Sequence, residues 1–245
     1  MTAARQYYNL VRMTLRMNRQ EAIFIGVIQV VMAIGFVIGF GYVIPDISER
    51  QAFYLTTGSA TNTAVIVALV GLPNILSQGK AEGRLDYFLT LPISREAYLL
   101  AQVTYVALAA LPGIVFTIIL GAWYYELSIA FNPLVFLAIP LAIASLAGAG
   151  VALGVLSPHP VLTNAITNLT VFYVLLFAPI LIPRDQLPAL LQHTAVVFPT
   201  TYAGDAVRGA LTDLPGTHLG RSLAVMAGFS VVSLGATAVS IRRRG

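Results

Sequence analysis

The chain has 245 residues, of which 58% are hydrophobic and only 10% charged, and its mean hydropathy is +0.82. A soluble domain carries roughly 25% charged residues, so the composition excludes one and points to an integral membrane protein. The absence of cysteine removes disulfides, thiolate metal sites and cysteine nucleophiles together, and the net charge of +4 is spread over loops and ends, which argues against a nucleic-acid partner.

Residues 1–21 carry Arg5, Arg12, Arg16 and Arg19, with Tyr8, Leu10, Leu15 and Met17 between them. This predicts a basic amphipathic helix at the inner membrane surface, its arginines meeting anionic headgroups. Simple flanking charge at a first span accounts for most of the same residues. The uncharged stretch 22–44 exceeds the roughly 20 residues that a span needs, and is too long for the apolar part of a removable signal. Gly35 and Gly39 give it a GxxxG pair, suited to close helix contact. After a short polar loop, 52–76 reads as a second span with a polar first half: Thr56, Thr57, Ser59, Thr61, Asn62 and Thr63. Lipid does not reward that surface, so it is expected against other helices or a wet cavity.

Ser77 to Tyr98 is an island of charge holding Lys80, Glu82, Arg84, Asp86, Arg95 and Glu96. A helix over 80–91 puts Ala81, Leu85, Phe88 and Leu89 on one face and Glu82, Asp86, Tyr87 and Thr90 on the other. Leu91-Pro92 ends it, because the residue before proline is pushed out of the α region. Ser94 then caps the next helix, with Glu96 in its first turn. The pattern is that of a short amphipathic helix lying on a membrane surface or in the groove of a partner.

The third span, 97–122, contains Pro112-Gly113, a predicted kink, and closes on the aromatic belt Trp123, Tyr124 and Tyr125. From Leu127 to Pro183 there is no Asp, Glu, Lys or Arg, a stretch too long for one span. Ser157-Pro158-His159-Pro160 divides it into 133–156 and 161–183. The fourth span has small residues four apart at Ala144/Gly148 and Gly150/Gly154. The fifth bears Thr163, Asn164, Thr167, Asn168 and Thr170, then Phe172, Tyr173 and Phe177. The segment 184–221 is too apolar for an ordinary loop yet interrupted by Pro188 and Pro199, which predicts short helices dipping partly into the membrane. A last span, 222–241, ends at Arg242-Arg243-Arg244.

Two motifs in this order carry a family resemblance. Glu82-Gly83-Arg84-Leu85-Asp86, Leu89 and Thr90-Leu91-Pro92-Ile93-Ser94-Arg95 resemble the coupling helix of the permeases of type-2 ATP-binding-cassette (ABC) exporters. Gly83-Arg84-Leu85-Asp86 stands where that family has Gly-Thr-Leu-Glu. Phe198-Pro199-Thr200-Thr201-Tyr202 followed by Asp205-Ala206-Val207-Arg208-Gly209 resembles the segment before its last span, with Phe198 replacing the usual Asn and Asp205 the usual Glu. The resemblance covers nearly the whole chain. It implies a coupling role for Lys80, Glu82, Gly83, Arg84, Leu85, Asp86, Phe88, Leu89, Pro92 and Arg95. It also implies outer re-entrant helices carrying Pro199, Tyr202, Asp205 and Arg208.

The chain lacks a nucleotide site of its own. Gly79-Lys80 is not a phosphate loop, since the first glycine would fall on Asn74 and Ala81 replaces Ser/Thr. ATP and magnesium are therefore expected on a partner ATPase. His159, His193 and His218 have no metal-ligand spacing, so neither a metal site nor a catalytic residue is expected. Asp205 and Arg208, one turn apart, suit an ion pair that is structural rather than catalytic. The six predicted cores hold no ionisable group, which argues against coupling to a proton or ion gradient. Asn62, Thr63, Asn164, Thr167, Asn168, Tyr173 and Phe177 are the candidates for a substrate path, because burying an unpaired amide is costly. For any single threonine, hydrogen-bonded helix packing explains as much.

With both ends inside, ten basic residues (Arg5, Arg12, Arg16, Arg19, Lys80, Arg84, Arg95, Arg242, Arg243 and Arg244) face the cytoplasm and four (Arg50, Arg184, Arg208 and Arg221) the outside. The expectation is one all-α domain over 1–245: a multi-pass cell-membrane protein with six spans and both termini cytoplasmic. As the resemblance implies, it is the permease half of an ABC exporter, paired with a second permease and an ATPase, with membrane lipid and a small amphiphilic substrate as further partners and no nucleic acid. The alternative is a polytopic protein outside the ABC class with a structural or lipid-handling role.

Overall fold

The computed structural model describes residues 3–44, 47–84, 87–88, 95–177, 180–181, 198–212 and 218–242. The helices bounded among them are α1 (Ala3–Met17), α2 (Arg19–Val43), α3 (Glu49–Ala81), α4 (Arg95–Tyr124), α5 (Val135–Leu156), α6 (Pro160–Phe177), α7 (Pro199–Leu211) and α8 (Leu219–Arg242). The described residues contain no strand. Four stretches are long and apolar enough to cross a membrane: α2, α3, Glu96–Tyr124 of α4, and α5. The six-span expectation needs two more. Helix α6 has 18 residues, and most of its expected continuation to 183 lies outside the described residues. Helix α8 runs 24 residues, Leu219–Arg242, and its side chains beyond Gly235 lie outside the described residues.

Helix α5 is packed by α8, α3 and α7; α4 lies against α3, with α2 and α1 outside it. In lipid, apolar burial does not drive helices together, so close packing depends on small residues. Those of α5 serve this purpose. A Cβ on Gly150 would overlap the Ala68 carbonyl of α3, and one on Gly154 would overlap the Pro73 carbonyl. Among the described residues no neighbouring element comes within 4 Å of where a Cβ would stand on Gly35 or Gly39, and both lie in a π-helical turn of α2, Gly35–Gly39. A GxxxG pattern specifies closeness without specifying a partner. The outer row of α2 (Ile23, Phe24, Val27 and Val31) is exposed and apolar, which suits lipid as its solvent.

The second span is longer than expected at both ends. Its start is fixed by a capping box: Gln51 N donates to Ser48 Oγ at 3.3 Å and Ser48 N donates to Gln51 Oε1 at 3.0 Å. It runs 33 residues, about 50 Å at 1.5 Å per residue, against a hydrocarbon core of about 30 Å. It is therefore longer than the hydrocarbon is thick. Midway, the ladder widens to a π turn over Val67–Gly71, just before Pro73, which has no N–H to donate. Helix α4, by contrast, runs through Pro112 as one helix of 30 residues.

Helix α1 lies across α4, not along it. The Tyr7 hydroxyl bonds Thr104 Oγ1 near one end, and near the other the Tyr105 hydroxyl donates to Asn18 O at 3.2 Å. Tyr7 and Asn18 are about 16 Å apart along a helix axis, yet their partners are adjacent on α4.

Candidate functional site

The charged island is built on the end of α3. Lys80 and Ala81 are the last residues of that helix, so the expected 80–91 helix does not begin at Lys80. The chain reverses at Glu82 and Gly83, with Glu82 N bonded to Gln78 O at 2.9 Å and Gly83 N to Lys80 O at 3.1 Å. Gly83 has φ +71°, a left-handed conformation that favours glycine at the end of a helix. A new turn follows, with Tyr87 N donating to Gly83 O at 3.0 Å. Arg84 Nε pairs with Glu82 Oε2 at 2.7 Å. Phe88 is buried and rests on the Tyr98 ring, centroid to centroid 4.8 Å, while Glu82 and Tyr87 stay exposed. The predicted sides of this segment hold for Phe88, Glu82 and Tyr87. Leu85, Asp86, Leu89, Pro92 and the side chain of Arg95 lie outside the described residues.

Lys80, expected at a partner contact, is exposed and also bonds its own chain. Its Nζ donates to Val155 O at 3.2 Å and Ser157 O at 3.3 Å, satisfying carbonyls at the C-terminal end of α5, where a cation is also favoured by the helix dipole. Thr163 Oγ1 donates to Ser77 Oγ at 2.8 Å. The Lys80 end of α3 is thus fastened to the corner between α5 and α6. Arg84 and Phe88 also line a small cavity with Thr14, Met17 and Asn18 of the α1 region, Ile75, Tyr98 and Gln102.

The polar candidates of the spans fall into two groups, one on α3 and one on α6. Asn62 and Thr63 are buried inside the protein with Thr56, Thr57, Ser59 and Thr61. Three threonines return their hydroxyls to their own helix: Thr57 to Phe53 O at 2.7 Å, Thr61 to Thr57 O at 2.8 Å and Thr63 to Ser59 O at 3.2 Å. Thr56 Oγ1, Ser59 Oγ and Asn62 Oδ1 have no hydrogen-bond partner among the described residues. On α6 the order is reversed. Thr163 and Thr167 face inward, whereas Asn164, Asn168, Leu169, Phe172 and Tyr173 form one exposed row. Asn168 Nδ2 donates to Asn164 Oδ1 at 2.6 Å, and Tyr173 meets Phe198 edge-on at 5.5 Å. The Phe177 side chain lies outside the described residues.

The predicted pair on α7 is formed. Arg208 Nη1 donates to Asp205 Oδ1 at 2.9 Å, and Nη2 donates to Ile180 O at 3.1 Å. The guanidinium carbon lies 3.5 Å from the ring centre of Tyr54, near the Glu49 end of α3. Pro199 opens α7 at its first turn, and Tyr202 is half-buried beside the small core of Ala138, Ala142, Ala203, Ala206 and Met226. Tyr54 and Ile180 had no signal in the sequence, being far from Arg208 along the chain.

These features define a class: a multi-pass helical membrane protein with a charged turn at the end of an overlong span. The family model of the ABC-2 type transporter matches residues 6–212, and the chain belongs to that family. It is therefore a transmembrane permease component of an ABC transporter and lacks the ATPase site. No curated protein matches the chain significantly.

Proposed function

We propose that the chain is the permease subunit of an ATP-driven exporter, with six spans, both termini in the cytoplasm, and ATP with magnesium bound on a separate ATPase. The observation that carries this reading is the turn after α3. It exposes Glu82 and Tyr87, buries Phe88, and is braced against α1, α4 and α5. A segment so held transmits a push from a docked ATPase into the spans. The exposed row of α6, with two asparagines and aromatic Phe172 and Tyr173, is the face for a second permease, a copy of this chain or a related subunit. The path for an apolar or amphiphilic substrate runs beside it, with Asn164, Asn168 and Tyr173 on its wall. Asn62 and Thr63 support the packing behind it.

The test is affinity purification from native membranes in mild detergent with identification of co-purifying chains. A stoichiometric ATPase is expected, and Glu82→Lys with Asp86→Lys should weaken its recovery about tenfold without affecting membrane insertion. Recovery of the chain alone, or an ATPase retained equally by the double variant, overturns docking at this segment.

A further inference from the structure

We propose that α1 carries a binding surface for acidic phospholipid headgroups, formed by Arg5, Arg12 and Arg16 and continued by Arg19 at the start of α2. On a helix turning about 100° per residue, Arg5, Asn9, Arg12 and Arg16 fall within one narrow arc, and all four are exposed. The opposite side is where the helix meets the rest of the protein: Leu10 and Thr14 are buried and Tyr7 bonds Thr104. Charge that only marks the inner side of a first span requires no such alignment.

The flanks of the arc are apolar and exposed, with Tyr8 and Leu15 on one side and Met13 and Met17 on the other. They suit the boundary between headgroups and acyl chains. The position suits it as well. Helix α1 lies across α4 and passes at Asn18 into α2, so it sits at the level where the first span leaves the membrane. Residues 1–20 contain no acid, and among the described residues none of the four arginines is in an ion pair. Guanidinium groups bind phosphate oxygens two at a time, which is what a row of phosphodiester headgroups offers. The inner side of α1 shares a cavity with Arg84 and Phe88, so lipid held on its outer side steadies a wall of the charged turn. The inference requires only that α2 spans the membrane, and it stands whether or not an ATPase docks.

The test uses the purified full chain in detergent with phosphatidylglycerol or phosphatidylcholine added. Native mass spectrometry counts bound lipid, and a thermal scan reads the stabilisation. An arginine at an anionic surface is worth roughly fivefold in affinity. Arg5→Gln, Arg12→Gln and Arg16→Gln together should weaken phosphatidylglycerol retention more than tenfold and abolish its specific thermal shift, leaving phosphatidylcholine retention unchanged. Lysine at the same three positions should keep the preference for phosphatidylglycerol at reduced strength. Equal retention of the two lipids by the unsubstituted chain overturns the proposal and does not depend on any variant folding. A triple-glutamine variant that keeps the preference also overturns it. Loss of an acidic co-purifying protein from that variant, with lipid preference intact, assigns the arc to a protein partner instead.

Discussion

Arg208 is 1% exposed, and the groups around its guanidinium come from three places: Asp205 on its own helix, the Ile180 carbonyl, and the Tyr54 ring of α3. Removing one member of a buried pair costs about 3–5 kcal/mol; Asp205 is partly exposed, so Arg208→Met is expected near the lower end of that range. Arg208→Lys should recover little, because an ammonium cannot stack on Tyr54 while bonding both oxygens. The thermal unfolding midpoint of the purified variants checks this, and an unchanged midpoint for the lysine variant refutes the stacked geometry. Lys80 allows a sharper separation of roles. If it caps α5 as observed, Lys80→Met costs about 1 kcal/mol and lowers the midpoint of the isolated chain, while Lys80→Arg does not. If it served only as a partner contact, the isolated chain would not register the loss.

At the scale of elements, the contact of α3 with α5 depends on absent side chains. Gly150→Leu would push against the Ala68 carbonyl, which is backbone and cannot swing away, so separation of the two helices and a loss of about 1–3 kcal/mol are expected, read from the unfolding midpoint. A midpoint within error of the parent would show that the helices reseat freely. Helices such as α2 and α5 were legible in the sequence because long uncharged runs leave few alternatives, and Pro158 with Pro160 marked the corner between α5 and α6. The end of α3 was not legible. Gln78-Gly79-Lys80 has the composition of a loop, but Gly79 is buried and the helix continues until Gly83 reverses it. The role of Lys80 was hidden because the carbonyls it meets lie 75 and 77 positions away. Polarity was equally visible at Asn62, Asn164 and Asn168, but direction was not: the first is inside the protein and the others are on its surface.

For the whole molecule, the missing cysteines become an experimental opening. A single Asn168→Cys introduces the only thiol in the chain. If α6 faces a second copy, mild oxidation in the membrane should give a covalent dimer in high yield, whereas a cysteine replacing lipid-facing Phe24 should give little. Equal yields from the two sites would remove α6 from the interface. Helix α3 sets how such an assembly can move. It is pinned at one end by Lys80 and Ser77, at the other by the Tyr54–Arg208 stack, and touched between them by Gly150 and Gly154. A rod fastened at both ends cannot slide like a piston, and it answers a sideways load by bowing. It bows where it is weakest, and in α3 that is the π turn beside Pro73, where the ladder is already interrupted. The compliance of the whole protein under load is thus concentrated in a few residues midway along one helix.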